Sequence, residues 1–283
     1  MKSSTLFISG GGSLIQDVTS TRSLLYYLWS IRAAKKCGCK VIMYACGIGP
    51  VEKDSNRKLA AKCINECVDE ITVRDELSLE ELKNLGVNKP NIELSADIAL
   101  SLFPAEDNIV DNELSKFDID PQGKYICFVL RSWKTFTDKI NVIRDTAENC
   151  YNSLGLTPVF LLLNPKNDAE ATNVVITGIS VPYRIIDEEL PTDILMGIIK
   201  RMKLMVSVRL HAIVFAASQE VPFVALSYDP KVKAFVHYLG NDCSINLEDI
   251  NTILRLIVTH YSSRNKNIEA MCDQLMEIIR KKQ

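Results

Sequence analysis

The stretch "SVRLHAIVFAASQ" places Arg209 and His211 two residues apart, where an apolar strand gives way to a helical pattern. Lys231 follows the next apolar run, in "VPFVALSYDPKVKAF", two residues after Asp229. An imidazole exchanges its proton near neutral pH. Arginine and lysine beside it, with the positive end of a helix, can hold an anionic group. That set suits a negatively charged substrate whose reaction needs proton transfer. The plainer alternative is a hydrogen-bonded packing histidine, and spacing alone leaves both open.

Near the start of the chain, "LFISGGGSLIQD" empties an apolar strand into Gly10, Gly11 and Gly12, followed by Ser13, Gln16 and Asp17. Each glycine costs roughly 0.5–1 kcal/mol relative to alanine, so something approaches the backbone closely or the chain turns sharply. The pattern is neither a dinucleotide fingerprint nor a P-loop. A simple strand-to-helix turn competes with a loop that lines a ligand site. Gly47, Gly49 and Pro50 follow the second apolar run, Arg74 and Asp75 the third, and Arg131 and Lys134 of "RSWK" a later one. Arg74 and Asp75 also fit a surface ion pair with Asp75 capping a helix, and Arg131 and Lys134 fit solvated side chains. Asp97 in "LSADIAL" reads as a turn or cap residue.

The elements that must position these groups follow from periodicity. Short β-branched runs mark strands at 5–9, 40–45, 70–73, 92–95, 125–130, 158–163, 183–186, 204–208 and 223–226. Between them lie helical patterns such as "RSLLYYLWSIRAAKKCG" and "PTDILMGIIKRM". Strands buried on both faces and joined by helices imply an α/β fold with parallel, doubly wound sheets. In such sheets ligands sit at the carboxyl ends of the strands, which is where the polar loops fall. The acidic stretch 103–123 reads as a connection, dividing the chain into Rossmann-like domains at 1–120 and 121–283 that face a cleft.

The 283 residues are 47% hydrophobic and 24% charged with a net charge of −2, which gives no reason to expect nucleic acid as a partner. No apolar run approaches the about 20 residues of a membrane span, and no signal-peptide pattern precedes the first strand. The nine cysteines include no C-x-x-C, and several sit in apolar runs. They read as reduced thiols of a cytoplasmic protein. Cys63 and Cys67 stand one helical turn apart but lack further ligands, and no clustered acids or histidines have metal spacing. Neither a metal nor a cofactor is expected.

"ISGGGSLIQDVTSTRSLLYYLWSI", "AKKCGCKVIMYACGIGPV", "ITVRDELS" and "VSVRLHAIVFAASQEVPFVALSYDPKVKAF" together resemble the polysaccharide pyruvyl transferase family, in its bacterial cell-wall (CsaB-type) branch. The likeness runs from residue 5 to about 239. It implies a GT-B-like fold whose glycine loop lines the cleft. The implied reaction moves pyruvate from phosphoenolpyruvate to a sugar as a cyclic ketal. The implied acceptor is N-acetylmannosamine in a lipid-linked precursor, ketalised at its 4- and 6-hydroxyls, with products that anchor S-layer proteins. Peripheral membrane contact through that acceptor follows.

Arg74, His211 and Lys231 match the family's functional pattern, and Arg209 is added from its position. In this reading His211 moves the proton, Lys231 and Arg209 hold the phosphate, and Arg74 holds the carboxylate. The second domain takes phosphoenolpyruvate and the first the acceptor. Family members usually carry a strand–helix unit ahead of the glycine segment, so a shortened first domain with an exposed strand edge and weak activity is expected. A GT-B glycosyltransferase or sugar-nucleotide epimerase would share the fold, and a non-catalytic module is the remaining alternative.

Overall fold

In the computed structural model, residues 4–133, 136–227, 232, 235, 236, 239 and 244–246 are described. Two compact units emerge, Met1–Ile98 and the chain from Ala99 onward.

The first unit alternates β1 (Leu6–Gly10), α1 (Thr21–Lys36), β2 (Lys40–Cys46), α2 (Asp54–Cys67), β3 (Glu70–Val73), α3 (Glu76–Leu85) and β4 (Asn91–Leu94). The strands pair in parallel in the order β1-β2-β3-β4. Local chemistry sets the helix ends. Ser20 caps α1 by accepting from the Ser23 N–H, and Lys35 and Lys36 face the negative end. Gly86 closes α3 at φ 80°, a conformation open to glycine. Leu24, Leu28 and Ile31 of α1 and Ala60 and Ile64 of α2 pack against Val41, Met43, Ile71 and Val73. β1 forms one edge of this sheet, where Leu6 and Ile8 stay 44% and 57% exposed.

The second unit contains α4 (Asp107–Ser115), β5 (Tyr125–Val129), α5 (Ile140–Leu154), β6 (Thr157–Leu161), α6 (Pro165–Ile176) and β7 (Arg184–Ile186). It continues with α7 (Thr192–Lys200), β8 (Leu204–Ser207), α8 (Leu210–Ser218), β9 (Phe223–Ser227) and β10 (Ser244–Asn246). Its sheet is parallel in the order β10-β9-β8-β5-β6-β7, so the winding direction reverses between β5 and β8. Every residue of β5 is buried, and the Phe128 and Phe160 rings stack 5.3 Å apart across β5 and β6.

The division after Ile98 falls earlier than the 120/121 boundary expected from sequence. The stretch 103–123, read there as a connection, contains α4. Val110 and Leu114, one turn apart, are buried, and Gly197 of α7 leaves room for Val110: a Cβ there would meet its Cγ2 at 2.3 Å. Arg201 pairs with Asp111 at 2.7 Å and with Asp107 at 3.2 Å, so the acidic helix docks through charge as well as packing.

Candidate active site

In the first unit the glycine loop runs beside the segment that leaves β2. The Gly11 N–H donates to Tyr44 O at 3.1 Å, the Gly47 N–H to Gly12 O at 2.8 Å, and the Gly49 N–H to Ile15 O at 2.7 Å. A Cβ on Gly10 would lie 2.7 Å from the Tyr44 carbonyl oxygen, and Gly11 and Gly12 hold φ values of 72° and 58°. The glycines therefore serve close backbone approach and left-handed turns. α1 begins only at Thr21, so they do not form a tight strand-to-helix turn.

That packing delivers Ser13 to the end of β3. Arg74 lies over Gly47, where a Cβ would meet the Ser13 hydroxyl at 2.4 Å and the Arg74 guanidinium at 3.1 Å. Arg74 Nη1 donates to Asp97 at 2.6 Å, its Nη2 reaches Ser13 Oγ at 3.5 Å, and its Nε lies 3.5 Å from Asp75. Asp75 also caps α3, accepting from the Ser78 N–H at 2.7 Å. The Arg74 side chain is 7% exposed, so the surface ion pair is in fact a buried one. Asp97, expected only at a turn or cap, is the acceptor that fixes this arginine.

Gln16 and Asp17 are occupied with the loop itself. Gln16 closes a local turn onto Thr19. Asp17 accepts from the Glu52 N–H at 2.7 Å, the Lys53 N–H at 3.2 Å and the Asn56 amide at 2.7 Å. Burial pushes its carboxyl upward, but these hydrogen bonds and the Lys53 charge outweigh burial and hold it below the usual range. A carboxyl lowered on folding stabilises above its unfolded value of about 3.9, and loses that contribution as pH falls through the folded value. Asp17→Asn should therefore melt below wild type at neutral pH, and the gap should close under acid. Melting curves across pH check this.

In the second unit, Arg131 follows β5 and Arg209 follows β8, the neighbouring strands where the winding reverses, and the Val208 N–H donates to Val129 O at 3.1 Å. Open α/β sheets bind ligands at the carboxyl ends of strands at such a reversal. Arg131 is exposed. Arg209 stands at the N-cap of α8, and its backbone N–H donates to the buried Ser207 Oγ at 2.9 Å. His211 lies in the first turn of α8 and is exposed, whereas Ala212 through Ala217 are buried. It is not a core histidine.

The Arg209 guanidinium is anchored by Asp168 of α6, which is fully buried and also accepts from the Asn164 N–H at 3.0 Å. Asp168 carries no functional signal in the sequence beyond its place in a helix. Its one signal was an acid in an amphipathic helix, one turn after the cap Asn164 and Pro165. The Arg209 Nε is buried without a hydrogen-bond partner among the described residues. Lys134, Asp229 and Lys231 lie outside the described residues.

Burial pushes the Cys46 and Cys63 thiols up to about 11 and Cys150 to about 12, and raises Cys127 as well. These thiols are not nucleophiles at neutral pH.

Solved structures share this fold. UDP-GlcNAc 2-epimerase from Methanocaldococcus jannaschii is 13% identical, with a TM-score of 0.64 over 96% of this chain and 76% of its own. A glycosyltransferase from Rickettsia africae is 12% identical, with a TM-score of 0.62 over 97% and 74%. Anabaena Alr3699/HepE, solved in complex with UDP, is 11% identical, with a TM-score of 0.61 over 89% and 72%. Such identities show the fold alone, which is α/β and GT-B-like. No curated protein matches the chain significantly. The family model for polysaccharide pyruvyl transferases matches residues 2–230, spanning the glycine loop, Arg74, Arg209 and His211, and the chain belongs to that family.

Proposed function

We propose that this protein transfers pyruvate from phosphoenolpyruvate to two hydroxyls of one sugar, forming a cyclic ketal. The observation that supports the reading is that Arg131 follows β5 while Arg209 and His211 follow β8, the neighbouring strands between which the second sheet reverses its winding. Two guanidinium groups and a helix N-terminus stand at these strand ends, with the Asp168 carboxylate paired to Arg209, an arrangement that suits an anion. The first-unit cluster sets one guanidinium, that of Arg74, against Asp75 and Asp97. Its balance is negative, which suits sugar hydroxyls better than a carboxylate. We therefore assign Arg74 to the acceptor rather than to the donor's carboxylate, and the donor to the second unit.

The chemistry balances with these groups alone. A proton added to the C3 methylene makes it a methyl group and leaves C2 electron-poor. One sugar hydroxyl bonds to C2, the C2–O bond to phosphate breaks, and the second hydroxyl closes the ring. Of the two hydroxyl protons, one replaces the proton spent at C3 and the other leaves with phosphate. His211 is positioned to move a proton, while Arg131, Arg209 and Lys231 offset the charge of the departing phosphate. No metal is assigned to a step. The finer identity, a lipid-linked cell-wall acceptor containing N-acetylmannosamine and the CsaB-type branch, rests on the sequence motifs, and a cytoplasmic location rests on the pattern of the cysteines.

Donor binding tests the assignment. Phosphoenolpyruvate should raise the melting temperature of the wild-type protein, and Arg131→Ala should weaken that stabilisation about tenfold in ligand concentration, the loss of one charge-assisted contact. Stabilisation by UDP with no response to phosphoenolpyruvate would favour nucleotide-sugar chemistry instead.

A further inference from the structure

A surface helix ordinarily turns its polar residues outward. α2 does so, exposing Asp54, Ser55, Lys58, Lys62 and Glu66. α1 does not. Its inner face buries Leu24, Leu28, Ile31 and Ala34, yet its outer face presents Leu25 at 43%, Tyr26 at 62% and Trp29 at 63% exposure. At about 100° per residue these fall on one stripe with Arg22 and Lys36, both exposed, at its two ends. Tyr26 and Trp29 stack with centroids 6.5 Å apart, forming a continuous aromatic surface. The helix contains no acidic residue. Nothing in the core of the unit requires this outer stripe.

We propose that the outer face of α1 docks the protein on the surface of an anionic bilayer. Trp and Tyr are the side chains that settle at the headgroup boundary, with apolar rings and polar edges. Leu25 adds a purely apolar contact. Arg22 and Lys36 bracket the stripe and complement anionic headgroups, and no acid on α1 itself opposes them. No helix among the described residues is long and apolar enough to cross a membrane, so the contact lies along the surface. The assignment is independent of the reaction proposed above. None of these residues belongs to the strand-end clusters.

Flotation of the full chain with vesicles tests it, comparing pure phosphatidylcholine with phosphatidylcholine containing phosphatidylglycerol. Wild type should float with the anionic vesicles and far less with the neutral ones. Tyr26→Ser/Trp29→Ser should lower the partition coefficient at least tenfold, and Arg22→Gln/Lys36→Gln should lower it in anionic vesicles only. These are exposed positions, so circular dichroism should be unchanged. In a Trp133→Phe background, Trp29 emission should shift to shorter wavelength on vesicle binding. Absence of flotation, or equal flotation of wild type and the Tyr26/Trp29 variant, would overturn the proposal. So would a wild-type dimer that the same variant converts to monomer, because a second copy would then occupy the face.

Discussion

His211→Ala is expected to lower turnover by about 10²–10⁴-fold, the contribution typical of a positioned proton-transfer group. The melting temperature should stay within a degree or so of wild type, because removing an exposed side chain leaves no cavity. His211 is exposed in the first turn of α8, while the residues that follow it hold the helix against the sheet. A packing histidine would behave in the opposite way, with stability lost and activity falling only in proportion. Thermal melting beside steady-state rates separates the two. Phosphoenolpyruvate affinity should change far less than turnover, since Arg131 and Arg209 remain.

Asp168→Ala should produce the largest loss of stability. Asp168 is fully buried, and it is paired with an Arg209 side chain that is only 19% exposed. Removing one member of such a pair strands the other charge and costs about 3–5 kcal/mol. The Asn164 N–H would lose its acceptor too, loosening the start of α6. Asp168→Ala combined with Arg209→Met should recover part of the stability, because the stranded charge is gone, while activity stays low. Urea unfolding of the singles and the double provides the cycle. If the double were as unstable as the sum of the singles, the pair would not be acting as a unit.

The central strands of the second unit were legible because β5, β6 and β8 are buried on both faces, whereas β1 and β4 of the first unit, half exposed, were legible only as short apolar runs. "YICFVL" is apolar throughout, and β5 buries every residue. β10 is the exception: "SIN" offers one apolar residue and carries no signal of its own. α4 was missed because Val110 and Leu114 are too few to announce a buried face, and the ion pairs that dock it come from Arg201, far along the chain. The same distance hid both anchoring carboxylates. Asp97 and Asp168 meet Arg74 and Arg209 only after folding, across 23 and 41 residues of sequence. Arg209 and His211 were visible as a motif, but the reversal beside them depends on β5 and β8 becoming neighbours, which no local pattern encodes.

One measurement bears most directly on the reaction. The protein is incubated with phosphoenolpyruvate, a UDP-sugar and an N-acetylmannosamine-containing acceptor together, and the acceptor is weighed by mass spectrometry while free phosphate is followed. One phosphate released per acceptor converted, a mass gain equal to a pyruvyl ketal, and an untouched UDP-sugar are expected. A gain equal to a hexose or N-acetylhexosamine, with UDP released and phosphoenolpyruvate unchanged, would contradict pyruvyl transfer.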